Sequence, residues 1–182
     1  RSTFLDKIQL LHLVPQSKLI NNCDALLHLN SKYALASLPE SIDQPSRVAS
    51  SDPASIKHTL DRSGTWIFKP PAESHGRSVY KIQSGDPNSN AIIEHEMPSA
   101  GHSFRLLESW LPNIEHGEKR VLMADDSIVG CYERQGKLDH RTNLAAGATP
   151  SLARLSADEQ ILCHAVAKYS MNGGARFVGI DL

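Results

Sequence analysis

With 182 residues, 40% of them hydrophobic, the chain is long enough to bury a sizeable core or two smaller ones. Its 19 Lys and Arg nearly cancel its 20 Asp and Glu, and the net charge of -1 excludes a nucleic-acid-coating role, because a phosphate backbone calls for a basic face. No apolar run approaches the roughly 20 residues of a membrane span, RSTFLDK does not read as a signal peptide, and three cysteines (Cys23, Cys131, Cys163), odd in number and without metal spacing, predict a reduced, cytoplasmic compartment.

Residues 6–14 carry apolar positions suited to a short helix. After Asn21 and Asn22, residues 24–38 predict one or two helical segments, and 39–45 connect to a short strand at 47–49. Asp52 and Pro53 make a helix start, Asp as N-cap and Pro at the first helical position. Ile56 and Leu60 share a face of that helix, and Gly64 can end it. TWIFKP at 65–70 alternates and is β-rich, which predicts a strand. PPAESHG follows as a loop, then SVYKIQ at 78–83 as a second strand. GDPNSN is a turn-rich connector, and AIIEHEM at 91–97 fits a strand or a short helix. FRLLESWL at 104–111 predicts a strand, and KRVLMA with SIVGCYER a hairpin about Asp125 and Asp126. Ser156 and Glu159 form a capping box, and Ile161, Leu162, Ala165, Val166 and Tyr169 give the following helix an apolar stripe. Gly173 and Gly174 end it, and RFVGIDL at 176–182 predicts a buried strand. Strands and helices mix without strict βαβ alternation, which predicts α+β. The expected subdivision is opening helices over 1–39, a small subdomain over 40–103 and a larger one over 104–182. With no initiating Met and an apolar strand at its end, the sequence reads as a piece of a longer protein.

Chemistry concentrates in HGEKRVLMADDSIVGCYER at 116–134 and HRTNLAAGA at 140–148. Arg120, Arg134 and Arg141 stand at strand ends, where desolvating them is costly unless an anion meets them. Phosphates or a carboxylate would suit. Glu118 could accept from a ribose or order cations, and Arg120 could hold a phosphate. Arg134 and Arg141 could clamp a carboxylate or stabilise a transferring phosphoryl group, and Asn143 could ligate Mg²⁺ indirectly or hydrogen-bond a phosphate. Lys69 either snorkels from its strand end or holds an anion. Lys32 reads as a solvated helix residue and His75 as a loop histidine. The backbone of Glu108, Ser109, Trp110 and Leu111 could read an adenine, or could belong to an ordinary core strand. Asp181 is either a strand-end turn residue or a Mg²⁺ ligand.

Taken in order, WIFKPP at 66–71, SVYKI at 78–82, ESWLPNIEHGEKRVLM at 108–123, RTNLAAGA at 141–148 and FVGIDL at 177–182 resemble ATP-grasp ligases, most closely the bacterial-type glutathione synthetases. LINN at 19–22 with Asn30, Ser31 and Lys32 resembles the segment leading into their nucleotide-binding part, so the resemblance spans about residues 15–182. It implies an ATP-grasp fold in which two α+β subdomains enclose ATP. Lys69 would reach phosphates, and Ser109, Trp110 and Leu111 would form the adenine hinge. Glu118 would lie near ribose or phosphates and Arg120 on phosphates. Arg134, Arg141 and Asn143 would face the acyl-phosphate and peptide end, and Asp181 would be the first Mg²⁺ ligand. The implied activity is a carboxylate–amine ligation of glutathione biosynthesis, using ATP and Mg²⁺ on small peptide or amino-acid substrates in the cytoplasm. Nucleic acid and membrane play no part, and homo-oligomerisation stays open.

Three departures accompany the resemblance. AESHGRS is less glycine-rich than the family's loop after the lysine strand. The Glu-x-Asn ligands expected soon after FVGIDL, and the family's amino-terminal domain, are not in this sequence, so the chain alone is expected to bind nucleotide without turnover. Two other readings stay open: a ligase adding glutamate or another amino acid to a peptide or protein, which shares the Arg-x-Asn loop, and a non-catalytic ATP-grasp nucleotide-binding or interaction module, which the altered loop favours.

Overall fold

The computed structural model describes residues 2–62, 64–72, 77–99, 101, 103–136, 142 and 147–182. They form, in chain order, α1 (Ser2–Leu11), α2 (Cys23–Leu29), β1 (Arg47–Ser50), α3 (Pro53–Asp61), β2 (Thr65–Lys69), β3 (Tyr80–Gln83), α4 (Pro87–Glu96), β4 (Arg105–Ser109), β5 (Glu118–Ala124), β6 (Ser127–Gln135), β7 (Thr149–Leu152), α5 (Ala157–Asn172) and β8 (Phe177–Asp181). By contacts the chain divides into one unit of Arg1–Ile42, Glu118–Arg134 and Pro150–Leu182, and another of Asp43–Gly117 and Gln135–Thr149. Among the described residues no helix is long and apolar enough to cross a membrane.

The second unit holds a four-stranded sheet in the order β1-β4-β2-β3, antiparallel throughout. The alternation of β2 sends Phe68 to one face, fully buried with Ile56, Leu60, Ile82, Ile93, Met97 and Leu107 under α3 and α4, while Ile67 and Lys69 take the other face. Asp52 caps α3, its carboxylate accepting from Ala54 N at 3.0 Å and Ser55 N at 3.2 Å, with Pro53 in the first turn. Asp52→Ala is therefore expected to cost about 1 kcal/mol, read as a lower thermal midpoint; an unchanged midpoint would mean that water caps this end equally well. AIIEHEM, open between strand and helix, is the later part of α4, which starts inside the expected connector: Asp86 caps it through Asn88 N at 2.9 Å, and Pro87 follows. By contacts the boundary after β4 falls later than residue 103. β4 pairs with both β1 and β2, so it completes the first sheet, and the chain passes to the other unit between Gly117 and Glu118.

In the first unit the sheet order is β7-β6-β5-β8. β5 and β6 form the expected hairpin, with Asp125 turned to a φ of 51° at its tip. One face carries Val121, Met123 and Ile180 and packs on Cys163 and Ala167 of α5. The capping box of α5 is present, Ser156 Oγ accepting from Glu159 N at 3.2 Å and Glu159 Oε2 from Ser156 N at 2.7 Å. Its expected apolar stripe is rotated, however. Ile161 is 68% exposed, and the buried residues are Cys163, Ala167 and Ser170. Glu159, one turn before Cys163, leans to β5 and grips Lys119 Nζ at 2.7 Å, so the packed side of the helix begins with a charge that a hydrophobicity pattern does not count. The final strand is likewise not buried throughout. β8 is an edge strand with Ile180 inward and Phe177, Gly179 and Asp181 exposed, as an antiparallel edge with a single covered face requires. In the sequence Asn21 and Asn22 read only as an interruption; Asn21 ties this edge down, its Oδ1 accepting from the N–H groups of Arg176 and Phe177 and its Nδ2 donating to Phe177 O, while Asn22 caps α2 through Ala25 N.

Candidate functional site

Each unit presents charged residues on the sheet face turned away from its helices. In the second unit, one register line crosses all four strands as Arg47, Glu108, Ile67 and Lys81. Lys69 lies two residues on from Ile67 on the same face. Glu108 accepts from Arg47 Nε and from Lys69 Nζ, both at 2.9 Å, and all three side chains keep 15% or less of their surface exposed. Burial by itself would raise the Glu108 carboxyl; the two cations outweigh it and hold Glu108 below the usual carboxylate range. Lys69 thus neither snorkels freely nor stands bare: its ammonium is held in place by a carboxylate.

Beside it, the expected hinge is partly spent. Ser109 N–H donates to Ser46 O at 2.9 Å and Trp110 N–H to Thr65 O at 3.0 Å, while Ser109 Oγ accepts from Ser46 N. The Trp110 ring carries Lys81 Nζ 3.8 Å above its centroid. Leu111 leaves the strand with a half-exposed side chain, and its carbonyl accepts from Ile114 N at 3.2 Å. Lys32 opens a short 3-10 turn, Lys32–Ser37, and is partly exposed.

In the first unit, strand register gathers four expected residues. Glu118 stands opposite Arg134, and Arg120 opposite Asp181, all on the face away from α5. Arg134 Nη2 donates to Glu118 Oε1 and, at 2.7 Å, to Asp181 Oδ1. Arg120 Nη2 donates to Asp181 Oδ2 at 2.8 Å, and Arg120 Nε approaches Asp181 Oδ1 to 2.5 Å without the alignment of a hydrogen bond. Arg134 is the buried centre of the group at 7% side-chain exposure, and Asp181 its open end at 44%. Loss of solvent on its inner side, and then repulsion from Glu118, raise the Asp181 carboxyl from 3.8 to about 6, against the pull of Arg120 and Arg134. The buried Arg134 Nε has no acceptor among the described residues.

Arg141, Asn143 and His75, and with His75 the middle of the AESHGRS loop, lie outside the described residues. From the sequence, Glu108 is read only for its backbone, and Lys81 is not singled out. No local signal marks either one, since each acquires its partner only through pairing between strands.

The family model described as "Prokaryotic glutathione synthetase, ATP-grasp domain" matches residues 31–182. The glutathione synthetase of Nostoc sp. is 27% identical over 182 residues, covering 98% of this chain and 55% of that protein. That of Photorhabdus laumondii is 32% identical over 168 residues, covering 90% and 52%. This chain thus spans about half the length of these relatives. Among solved structures, D-cycloserine synthetase DcsG is similar with a TM-score of 0.80 at 15% identity, over 100% of this chain and 65% of that one, a likeness of fold.

Proposed function

Because the chain belongs to the prokaryotic glutathione synthetase ATP-grasp domain family and has the α+β ATP-grasp fold, we propose that it is the ATP-binding part of a carboxylate–amine ligase that uses ATP and Mg²⁺ and acts through an acyl-phosphate on small peptide or amino-acid substrates. The observation that carries this reading is the Glu118, Arg120, Arg134, Asp181 cluster, in which two guanidinium groups meet two carboxylates at the ends of paired strands. Two arginines whose forks are pre-oriented by carboxylates stabilise negative charge at a transferring phosphoryl group without reorganising first. Arg141 and Asn143 are assigned to the same end by their motif alone. Lys69, held by Glu108, supplies a positioned charge for nucleotide phosphates. Of the hinge residues, Leu111 takes the adenine role, since the N–H groups of Ser109 and Trp110 are engaged within the sheet.

The residues present fit Mg²⁺. Asp181 and Glu118 accept from the same Arg134 nitrogen, which brings hard carboxylate oxygens together, and a divalent cation would offset the burial and the repulsion that raise Asp181. When bound, Mg²⁺ offsets charge on the phosphoryl group in transfer. The chain's own part is to hold Asp181 at the strand end, open to solvent on one side and braced by Arg120 and Arg134 on the other.

Thermal denaturation with and without MgATP tests the reading. At about a hundredfold excess over the dissociation constant, a ligand that binds only the folded chain adds about 2.7 kcal/mol, a rise of roughly 5–10 °C for a chain of this size. Lys69→Ala is expected to abolish most of that rise. A midpoint unmoved by millimolar MgATP would sink the proposal.

A further inference from the structure

The middle of β8 is a glycine, where a strand would be better served by a residue with a side chain to pack and less backbone freedom to lose. Gly179 does not adopt the left-handed backbone that would require one; the glycines that do are elsewhere. What Gly179 provides is space. A Cβ built on it would lie 2.7 Å from Arg120 Nη1, 3.4 Å from Cδ and 3.6 Å from Cζ. Gly179 is paired with Leu122, two register positions from the Arg120–Asp181 pair and so on the same face of the sheet. The Arg120 side chain therefore lies against the bare backbone of β8 on its way to Asp181.

We propose that Gly179 is a positioning residue, the seat that holds the Arg120 guanidinium in its orientation beside Asp181. A methyl group here meets the far end of a flexible side chain rather than backbone, so Arg120 gives way before the sheet does. Gly179→Ala should leave the fold intact and displace Arg120. The functional consequence rests on the reading of Arg120 as a cation for phosphates; the seat itself rests only on the contact.

A double-mutant cycle separates the two. Thermal midpoints are measured for the parent chain, Gly179→Ala, Arg120→Ala and the double variant. With Arg120 present, the alanine is expected to lower the midpoint, because it breaks the Arg120–Asp181 pair. With Arg120 removed, the same alanine should raise the midpoint, because only its better fit to a strand remains. The same sign and size in both backgrounds would overturn the proposal. In parallel, MgATP affinity is measured by calorimetry, a quantity that a general loosening of β8 would lower in both backgrounds alike. Gly179→Ala is expected to weaken binding about tenfold in the parent and not at all in Arg120→Ala. Equal weakening in both would again count against the seat. Should no form bind MgATP, the proposed function fails, and the midpoint cycle still decides the role of Gly179.

Discussion

Arg134→Ala is expected to destabilise the chain by about 3–4 kcal/mol at pH 8, measured by urea denaturation, which is what removing one partner of a buried ion pair costs. Arg134 is 7% exposed and donates to both Glu118 and Asp181. Without it, two neighbouring carboxylates lose the guanidinium that bonds both of them. The partial exposure of Asp181 places the cost at the lower end of the usual range. The loss should also depend on pH in a defined direction. In the parent chain Asp181 is raised from 3.8 to about 6. Between those values the folded chain holds a proton that the unfolded chain has released, so the stability from this proton is complete below 3.8 and lost as pH rises through about 6. Removing Arg134 takes away one of the cations that pull Asp181 down, and the window moves up. The deficit should therefore be smaller at pH 5 than at pH 8. Arg134→Lys keeps the charge, loses the fork and should recover part of the loss. A deficit below about 1 kcal/mol at both pH values would mean that the cluster behaves as an ordinary surface pair.

Glu108→Gln is the second large effect, about 3 kcal/mol at pH 7, because it leaves Lys69 and Arg47 charged, close together and mostly out of water. Glu108 is depressed in the folded chain: burial opposes its ionisation, and Lys69 and Arg47 more than compensate. A carboxyl with a lowered folded value contributes stability that is present above the unfolded carboxylate range and is lost as pH falls through the folded value. The difference between Glu108→Gln and the parent should shrink from pH 7 toward pH 3. A difference that stays constant across that range would assign the loss to packing of the side chain rather than to its charge.

The parts of this protein legible in the sequence are those whose cause is local. Asp52 before Pro53, Ser156 with Glu159, and the acidic pair at the tip of the β5–β6 hairpin announce a helix start, a capping box and a turn, and each is found where it was expected. AIIEHEM stayed ambiguous because its helix begins outside it, at Asp86. The face of α5 was misread because Glu159 and Ser170, polar residues, belong to its packed side, the first through Lys119 and the second by bonding Val166 O. β8 looked buried because an apolar run does not say whether one or both of its faces are covered.

Glu118, Arg120, Arg134 and Asp181 stand out singly in the sequence, as charged residues at the ends of apolar runs. Their grouping does not, because Arg120 and Asp181 are 61 positions apart and meet only when β5 pairs with β8. Glu108 shows the same limit more sharply: it reads as one strand residue among others until β1 and β2 bring Arg47 and Lys69 to it. Gly179 carried a usable sign, a glycine inside an apolar strand pattern, which often marks a close approach.

The sequence by itself determined the α+β class, most of the helix starts and turns, and the family motifs, since these depend on residues a few positions apart or on the order of short segments. The tertiary structure alone decided which charges neutralise one another, which carboxyl is raised and which depressed, and where a missing side chain makes room for an arginine. The reason is that an ion pair needs atoms within about 3 Å, and that proximity is set by the register between strands far apart in the chain.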